Sequence, residues 1–502
     1  MQGYSVGLDF TVNATHMYGL PHRADNFRLE ETGFDHPYRL FNQDRFNFDE
    51  EGKNSQPLYG SVPYIMGHSH QSDASIAWMN SAETFVFLNH AHKGQKTNNA
   101  FVSEGNALEF YLLGAEGNPK KLQKKLAELT GYTAMPPMHS LGYHFSKWEH
   151  TSAHKIIERN NDFNHFGFPV DVFWMDSEYA QNYQYGEYDH EKFSQDKVMR
   201  MNDRIHDAGR RFVIVADPHI RASQDYFMFK EGMERQGKPI DDHHITNLFI
   251  RGPDAQSPFE GKSRAGKSVW VDFLNESACD YWKDMFHPSV FKGTNYMYGI
   301  WNDMNEPSVY GKDRKEQRGM PMDNTHMTAS GDVLQHRWIH NAYGALQQRA
   351  TFQGLLRRDR GQQRPFLLSR SFFFGSQRYG AVGAGSNHAK FEDVELAVNM
   401  MLSMGVSGIV NAGHDLPGYH GVPSDDLFVQ FYQLGVYFPF MRANAKMGFE
   451  MREPWLQSPR IQRMILAAIK QRYAQAHYMY NLFYESTQTG LPIIRPMWME
   501  FP

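Results

Sequence analysis

Two carboxylates stand close together in the segment YGIWNDMNEPSVY, directly after a short apolar run. They are Asp303 and Glu306, with Trp301 before them and Pro307 after them. A retaining glycosidase uses one carboxylate to attack the anomeric carbon and a second one, about 5 Å away, to protonate the leaving oxygen. The same two acids could instead cap a following helix or hold neighbouring Asn side chains. The spacing alone leaves both interpretations open.

Several other apolar runs also end in polar clusters, which predicts parallel strands whose reactive side chains meet at one edge. The predicted strands cover residues 141–144, 170–175, 212–216, 297–301, 366–369 and 408–412. Longer helical stretches separate them, and this alternation is typical of a parallel sheet with crossover helices. In a (β/α)₈ barrel the functional side chains lie at the carboxyl ends of the strands. A doubly wound sheet would place them similarly, but the number of strands favours the α/β TIM barrel.

The pattern of apolar and turn-forming residues changes near residue 130 and divides the chain into two regions. Residues 1–130 carry short apolar and aromatic runs broken by Gly, Pro, Asn and Asp, which predicts a partial N-terminal β-sandwich. Residues 131–502 are expected to form the (β/α)₈ barrel. A stretch at about 222–269 is too long for an ordinary loop between strand and helix, so we expect an insertion there.

Composition and charge exclude several classes of function. The 51 Lys and Arg against 56 Asp and Glu give a net charge of −5 without a basic run, which argues against nucleic acid as a partner. The single cysteine, Cys279, excludes an intramolecular disulfide. No signal peptide or apolar run of about 18 residues is visible, so no membrane segment is expected. No Gly-rich phosphate loop occurs, and neither a metal nor an organic cofactor is expected.

The segment WNDMNEP resembles the nucleophile signature of glycoside hydrolase family 31, the family of α-glucosidases. Other segments follow that family in order: first SVGLDF, HMYGLPHRAD, PLYGSVPYIM and SIAWMNSAETFV, then PPMHSLGYHFSKW, DVFWMDSEY, IVADPHI, RPFLLSRSFFFGSQRYGAV, FYQLGVYFPFMRA and REPW. The first group is similar to the N-terminal β-sandwich of the glucosidase II α subunit. The resemblance implies a (β/α)₈ TIM barrel preceded by a partial N-terminal β-sandwich, with the family's C-terminal β-domains absent from this chain.

The resemblance also implies roles for five residues of the predicted pocket. Asp303 stands at the position of the family's nucleophile, and Asp176 at the position that holds the hydroxyls of the terminal sugar. Trp301 would form an aromatic wall. Arg370 and Asp415 match positions that support the acid and bind the sugar in the first subsite.

The sequence departs from the family at five positions of the expected sugar pocket. Ser386 stands where the family has its acid/base aspartate, and a serine hydroxyl is too weak an acid to protonate a glycosidic oxygen near neutral pH. Asn444 replaces a histidine that bonds the sugar, and Gly383 replaces a tryptophan. In the segment EGKSRAGKSVW, Lys262 and Arg264 stand where the family has aromatic rings, on which a sugar face would stack.

Three nearby side chains could in principle replace the missing acid: His388, Glu392 and Asp393. The last two align with helix positions that the family already fills with polar residues. We therefore expect them to begin the next helix, where negative charge is favourable, and not to serve as the acid.

These features lead to an α-glucosidase hypothesis and two alternatives. The first is retaining hydrolysis of terminal α-linked glucose through a covalent Asp303 intermediate, impaired by Ser386. The second is an inactive homologue that binds glycans or a partner protein, and the third is transglycosylation or elimination. The resemblance to glucosidase II implies a β-type subunit as a partner and the endoplasmic reticulum as the compartment. A carboxyl group other than those of Asp176 and Asp415, at about 5–5.5 Å across the pocket from Asp303, would favour hydrolysis. Its absence, with a Lys or Arg in the sugar site, would favour the second hypothesis.

Overall fold

The computed structural model describes residues 4–14, 16–33, 35–45, 48, 57–70, 72–90, 96–105, 107–149, 151–238, 246–311, 317–328, 330–449 and 452–502. Every structural statement below concerns these residues.

The N-terminal region forms two antiparallel sheets of four strands each. In order across the first sheet the strands are Ser5–Val12, Thr97–Glu104, Thr84–His90 and Tyr38–Leu40. In order across the second they are His16–Gly19, Tyr64–His68, Asp73–Trp78 and Phe110–Ala115. Along Thr97–Glu104 every second residue is buried, as expected for a strand with one face on a core.

The two N-terminal sheets enclose one apolar core. Ile76 and Trp78 of the second sheet and Val86, Leu88 and Phe101 of the first belong to the same buried cluster. This packing of two sheets face to face agrees with the predicted β-sandwich. The helix Pro119–Thr130 follows, and its first turn is capped by the Asn118 side chain, which accepts a hydrogen bond from the backbone N–H of Lys121.

The rest of the chain is built around a closed parallel barrel. Its strands are, in order around the barrel, Tyr143–Phe145, Val172–Met175, Arg211–Val215, Tyr298–Asn302, Leu367–Ser369, Ala381–Gly383, Ala412–Gly413 with Asp415–Leu416, and Met441–Ala443. All the pairings are parallel. The segment 412–416 closes the barrel, because its first half pairs with Ala381–Gly383 and its second half with Met441–Ala443. The predicted TIM barrel is therefore confirmed.

The predicted strands agree with the barrel at most positions. The prediction of a strand over 408–412 was wrong except at its last residue, because the chain still turns out of the helix Phe391–Val406 there and the strand begins at Ala412. The strands Ala381–Gly383 and Met441–Ala443 were not predicted. Their sequences are AVG and MRA, so neither produces a recognisable run of large apolar residues.

Helices surround the barrel and connect its strands. The α-helices after the sandwich are Pro119–Thr130, Ala153–His165, Gln195–Asp207, Phe227–Arg235, Glu276–Met285, Tyr343–Arg358, Phe391–Val406, Asp425–Gly435, Pro459–Ala474, Ala476–Thr489 and Met497–Glu500. Short 3₁₀ turns lie at Met138–Leu141, Ser177–Tyr179, Gln181–Tyr183, His336–Trp338, His340–Ala342, Ser376–Arg378 and Pro454–Leu456. In the described part of the chain, no helix has the length and apolar character needed to cross a membrane.

A small antiparallel sheet lies over the carboxyl ends of the barrel strands. Its strands are, in order, His219–Arg221, Gly266–Trp270, Gly261–Ser263, Ser308–Tyr310 and Gln317–Gly319. A separate two-stranded ladder joins Thr325–Met327 to Val333–Gln335. The hairpin 261–270 belongs to the stretch predicted as an insertion, and it pairs with the strand that directly follows Asp303 and Glu306. This pairing holds the hairpin over the barrel mouth.

Candidate active site

A cavity of about 280 Å³ lies at the carboxyl ends of the barrel strands. Most of the side chains singled out in the sequence line it: Asp176, Arg264, Trp301, Asp303, Arg370, Gly383, Ser386, Asp415 and Asn444. Lys262 does not line it and is exposed. A concave pocket with convergent charged groups at this end of a barrel is where TIM-barrel enzymes have their active sites.

Asp303 is buried directly after the strand Tyr298–Asn302 and lies between two arginines. Its Oδ1 lies 3.1 Å from Arg370 Nε, and its Oδ2 accepts a hydrogen bond of 3.1 Å from Arg264 Nη2. The next residue, Met304, has a φ of 56°, a left-handed conformation that turns the chain sharply after the carboxylate.

Arg370 gathers the carboxylates on one side of the cavity. Its Nε donates to Glu306 Oε1 at 2.7 Å and its Nη2 donates to Glu306 Oε2 at 2.8 Å, a paired geometry that fixes both groups. The same Nη2 lies 3.5 Å from Asp44, which comes from the N-terminal region. Burial alone would lower the pKa of Arg370, but Asp303 and Glu306 raise it well above its ordinary value. Burial raises the pKa of Glu306 to about 7, although Arg370 opposes this.

A buried chain of histidines holds the N-terminal polypeptide against the barrel. Nδ1 of His326 lies 2.7 Å from Asp272 Oδ1, and its Nε2 lies 2.9 Å from Nδ1 of His336. Nε2 of His336 lies 2.9 Å from Nδ1 of His340, whose Nε2 donates to the carbonyl oxygen of Asn42 at 2.8 Å. Each ring orients the next, so the chain fixes the backbone just before Asp44.

Asp415 and Asn444 form a second polar cluster in the lining of the cavity. Arg442 donates from Nε and Nη2 to Asp415 Oδ1 at 2.8 and 2.5 Å, and Asn444 Nδ2 donates to Asp415 Oδ2 at 3.0 Å. The Arg442 guanidinium also lies 5.0 Å from the ring centre of Trp301 and 4.6 Å from that of Trp174. Trp301, predicted to form an aromatic wall, thus packs against the Arg442 guanidinium, and the cation–π attraction holds the two side chains together.

Arg264 reaches into the cavity from the tip of the hairpin. Its Nη1 lies 3.4 Å from Asp176 Oδ1 and donates to Ser177 Oγ at 2.8 Å, while its Nε lies 3.3 Å from Asp217 Oδ2. Arg264 also bonds Asp303, so its guanidinium contacts three carboxylates. They are Asp176, Asp217 and Asp303, which follow three neighbouring strands of the barrel. Burial raises the pKa of Asp176, and it raises that of Asp217 to about 7, although Arg264 opposes both shifts.

The loop that carries Ser386 brings no carboxylate to the cavity. The hydroxyl groups of Ser386 and Tyr59 are hydrogen-bonded at 2.9 Å, and the Tyr59 hydroxyl also bonds the carbonyl oxygen of Arg45. The Arg370 guanidinium lies 4.8 Å from the centre of the Tyr59 ring. At Gly383 an added Cβ would meet only Leu368, at 3.5 Å, so the space beside the strand end is open.

The three side chains considered as substitutes for the acid occupy a separate place, in or near the first turn of the helix Phe391–Val406. Glu392 is exposed, and the buried Asp393 accepts a hydrogen bond of 2.5 Å from the backbone N–H of His388. Nδ1 of His388 lies 4.0 Å from the same Asp393 oxygen. None of the three is among the residues that line the cavity.

The two structural regions match two domains of one known protein family. Residues 133–482 match the glycosyl hydrolases family 31 TIM-barrel domain, and residues 1–86 match the glycosyl hydrolase 31 N-terminal galactose mutarotase-like domain. The chain belongs to glycosyl hydrolase family 31. The family resemblance of WNDMNEP and its companion segments is thereby confirmed.

Relatives in this family are much longer than this chain. Neutral alpha-glucosidase C from Mus musculus is 35% identical over 99% of this chain and 55% of its own length. Neutral alpha-glucosidase AB from Sus scrofa is 35% identical over 99% of this chain and 52% of its own length. The chain thus spans about half the length of these curated relatives.

Solved structures of the family superpose closely. The glucosidase II alpha subunit in its Glc1Man2-bound form gives a TM-score of 0.91 at 34% identity, over 99% of this chain and 53% of that chain. The ER glucosidase II heterodimeric complex of the catalytic subunit and the binding domain of the regulatory subunit gives a TM-score of 0.90 at 34% identity, over 99% of this chain and 53% of that chain.

Several side chains in or next to this pocket were not singled out from the sequence, among them Asp217, Arg442 and Tyr59. Asp217 could have been found, because it lies in a DPH cluster at the end of a predicted strand. Arg442 lies inside the strand Met441–Ala443, which shows no apolar pattern, and Tyr59 comes from the N-terminal region, so no local pattern points to either. In the described part of the chain, no group of three or more His, Cys, Asp and Glu is arranged to hold a metal ion.

Proposed function

We propose that this family 31 barrel is a retaining α-glucosidase whose hydrolysis of natural α-glucosides is impaired. One observation carries the proposal. Ser386, at the position that the family resemblance assigns to the acid, has its hydroxyl bonded to Tyr59, while Asp303 lines the same cavity with Arg370 and Arg264 beside it. The two half-reactions of a retaining enzyme depend on these groups to different degrees.

Asp303 supplies the first step of the proposed reaction. A carboxylate oxygen attacks the anomeric carbon of a terminal α-linked glucose, and the glycosidic C–O bond breaks with its electron pair going to the leaving oxygen. The product is a glycosyl ester on Asp303, which water then hydrolyses. Asp176, Asp415 and Asn444 line the cavity where the sugar hydroxyls would bind.

Ser386 is the reason for the proposed impairment. An acid/base carboxyl would protonate the leaving oxygen and later remove a proton from the attacking water, and such general acid–base catalysis contributes about 10²–10⁴-fold. The hydroxyl of Ser386 cannot do this near neutral pH. The buried Glu306 does not replace it, because both of its oxygens accept hydrogen bonds from Arg370.

Leaving-group dependence tests this proposal. The full chain is assayed with α-glucosyl fluoride, p-nitrophenyl α-glucoside and maltose, whose leaving groups need increasing help from an acid. Turnover of the fluoride, with maltose slower by about 10²-fold or more, is the expected result. Asp303→Asn serves as the control and should abolish turnover of all three. Equal rates on fluoride and maltose would show that another acid acts, and no turnover of any substrate would contradict the hydrolase proposal.

A second candidate is a homologue that binds glycans without hydrolysing them. Two observations favour it. Arg264 lies in the cavity, as expected above for such a homologue. In addition, the carboxylate of Asp303 is held between Arg264 and Arg370, which stabilises it in its resting state. Intact-mass analysis after incubation with a mechanism-based fluoroglucoside separates the two. Labelling of Asp303 supports the hydrolase, whereas an unlabelled protein that still binds an α-glucose oligosaccharide supports the second candidate.

We further propose a glucosidase II β-type subunit as a partner. The support is the similarity to the catalytic subunit in the ER glucosidase II heterodimeric complex, which contains the binding domain of a regulatory subunit. Co-purification of the chain with that recombinant binding domain in one peak of a sizing column is the expected result. Separate elution at micromolar concentrations of both proteins would contradict it.

A further inference from the structure

Arg264 is delivered to the sugar pocket by a rigid hairpin. The strands Gly261–Ser263 and Gly266–Trp270 pair with each other, and Gly266, at a φ of 92°, makes the tight turn that an L side chain would strain. The hairpin is paired on both outer edges, with His219–Arg221 on one side and Tyr310 on the other. The position of the tip is therefore fixed by backbone hydrogen bonds on both sides.

The two cations of this hairpin have opposite environments. Lys262 is exposed and its backbone pairs with Tyr310 within the small sheet. The Arg264 side chain is only 16% exposed, because it points into the cavity. Only the second of the two charges can therefore influence what the pocket binds.

The Arg264 guanidinium occupies the space that the proposed function assigns to a sugar. It contacts Asp176 at 3.4 Å, Ser177 at 2.8 Å, Asp217 at 3.3 Å and Asp303 at 3.1 Å. Asp176 and Asp303 are the proposed sugar-binding acid and the proposed nucleophile. A hexose in position for attack must reach both carboxylates, and so must displace this side chain.

The contacts also hold the guanidinium firmly in its charged form. Burial alone would lower the pKa of Arg264, but Asp217 and Asp303 raise it well above its ordinary value. Charge pairs in a water-poor pocket are stronger than those at the surface. A neutral sugar that displaces Arg264 leaves the buried Asp176 and Asp217 without this cation, while Asp303 keeps Arg370, and the loss disfavours the open state.

We propose that Arg264 is the specificity-determining residue of this pocket, a built-in occupant that a glucoside must displace before Asp303 can react. The inference rests on the proposed function for the identity of the sugar-contacting acids. It is separate from the effect of Ser386, because Arg264 limits access to the pocket whereas Ser386 limits departure of the leaving group. The apparent affinity for a sugar is then the intrinsic affinity multiplied by the fraction of molecules in which the pocket is open.

Substitution of Arg264 tests the inference. Arg264→Ala removes the occupant, Arg264→Met keeps much of its bulk without the charge, and Lys262→Ala is the matched control on the same hairpin. The measurements are the rate of Asp303 labelling by a fluoroglucoside and the binding of glucose by calorimetry. Arg264→Ala should raise the second-order labelling rate by about tenfold or more, chiefly through a lower half-saturating concentration, as for an open fraction that rises from about one-tenth to one. Lys262→Ala should match the parent chain.

Each outcome decides the inference separately from the proposed function. If neither the parent nor Arg264→Ala is labelled but the variant binds glucose more tightly, Arg264 is the occupant and the hydrolase proposal fails. If both are labelled at the same rate with the same half-saturation, the inference is overturned and the hydrolase proposal stands. A slower Arg264→Ala with a normal melting curve also overturns the inference, because the arginine would then assist the reaction. Should Arg264→Ala not fold, unchanged labelling and glucose binding in Arg264→Met overturn it.

Discussion

Two sides of the pocket are built from different kinds of contact. On the nucleophile side, which we define as Asp176, Asp303, Glu306, Arg264 and Arg370, carboxylates and guanidiniums alternate at 2.7–3.4 Å. On the acid side, which we define as Gly383, Ser386 and Tyr59, the polar contact to the cavity wall is a neutral pair of hydroxyls at 2.9 Å.

This difference shows why the two sides tolerate change unequally. Removing one member of a buried charge network leaves its partners charged and unpaired, which is strongly destabilising. A hydroxyl that replaces a carboxylate on the acid side needs only one neutral partner, and Tyr59 supplies it. On the proposed assignment of Ser386, a family 31 barrel can therefore replace its acid at little cost to the fold, whereas loss of Asp303 or Arg370 would disturb the structure as well as the proposed chemistry.

The largest expected effect comes from placing a carboxyl group at position 386. Ser386→Asp places a carboxyl group at the position that we propose for the acid, and it should raise kcat/KM for maltose by about 10²–10⁴-fold while changing the rate on α-glucosyl fluoride far less. Steady-state kinetics on both substrates measures this. Ser386→Ala is the control and should leave both rates within about twofold of the parent chain. A Ser386→Asp variant that folds normally and gains nothing on maltose would mean that the acid is not the missing element.

The next largest effect is expected for Glu178, a buried carboxylic acid near Asp176, and it is a pH dependence of stability. Burial, together with the nearby Asp176, raises the pKa of Glu178 from 4.5 to about 7. In the described residues no cation forms an ion pair with it, although the Trp148 indole N–H donates to its Oε1. The folded chain keeps this proton to a higher pH than the unfolded chain, so stability is lost as pH rises from about 4.5 to about 7.

Glu178→Gln tests this pH dependence, because it removes the ionisable group while the amide oxygen can still accept the hydrogen bond from Trp148. The variant should gain on the order of 3 kcal/mol over the parent chain at pH 8 relative to pH 5, since each unit of pKa difference corresponds to about 1.4 kcal/mol. Urea unfolding at a series of pH values measures the change. A parent chain and variant with parallel profiles between pH 5 and 8 would show that Glu178 ionises normally.

The smallest expected effect concerns the hydroxyl pair on the acid side. Tyr59→Phe removes the bond to Ser386 and the bond to the Arg45 carbonyl but keeps the ring under Arg370, so it should cost about 1–2 kcal/mol of stability. Chemical denaturation measures the loss, and the rate on α-glucosyl fluoride should stay within about twofold because the nucleophile side is untouched. A loss of activity much larger than the loss of stability would show that the acid side takes part in the reaction.

Much of the fold could be predicted because the barrel repeats one local pattern. The strands Val172–Met175, Arg211–Val215 and Tyr298–Asn302 are apolar runs that end in charged clusters, and this pattern is visible without any tertiary information. The strands Ala381–Gly383 and Met441–Ala443 do not show it, because the first contains two small residues and the second an arginine. They are strands because their neighbours in the barrel supply hydrogen-bond partners, which is a property of the closed sheet and not of the segment.

The candidate site, like the fold, could be predicted from the sequence only in part. The sequence by itself determined that Asp303 and Asp176 follow strands of one parallel sheet, and therefore face the same edge, and that Ser386 carries no acid. It also marked Arg264 and Lys262 as charges where the family has rings, but it could not tell them apart. Only the tertiary structure decided that Arg264 enters the cavity while Lys262 stays exposed.

The acid side was settled by the tertiary structure as well. Tyr59 and Ser386 are 327 positions apart along the chain, and Arg264 and Asp303 are 39 apart. Such contacts depend on how the sandwich and the hairpin dock on the barrel, and docking is set by packing and pairing between distant segments. Local residue patterns carry no record of it, because a strand end fixes which way its own side chain points but not which distant side chain meets it.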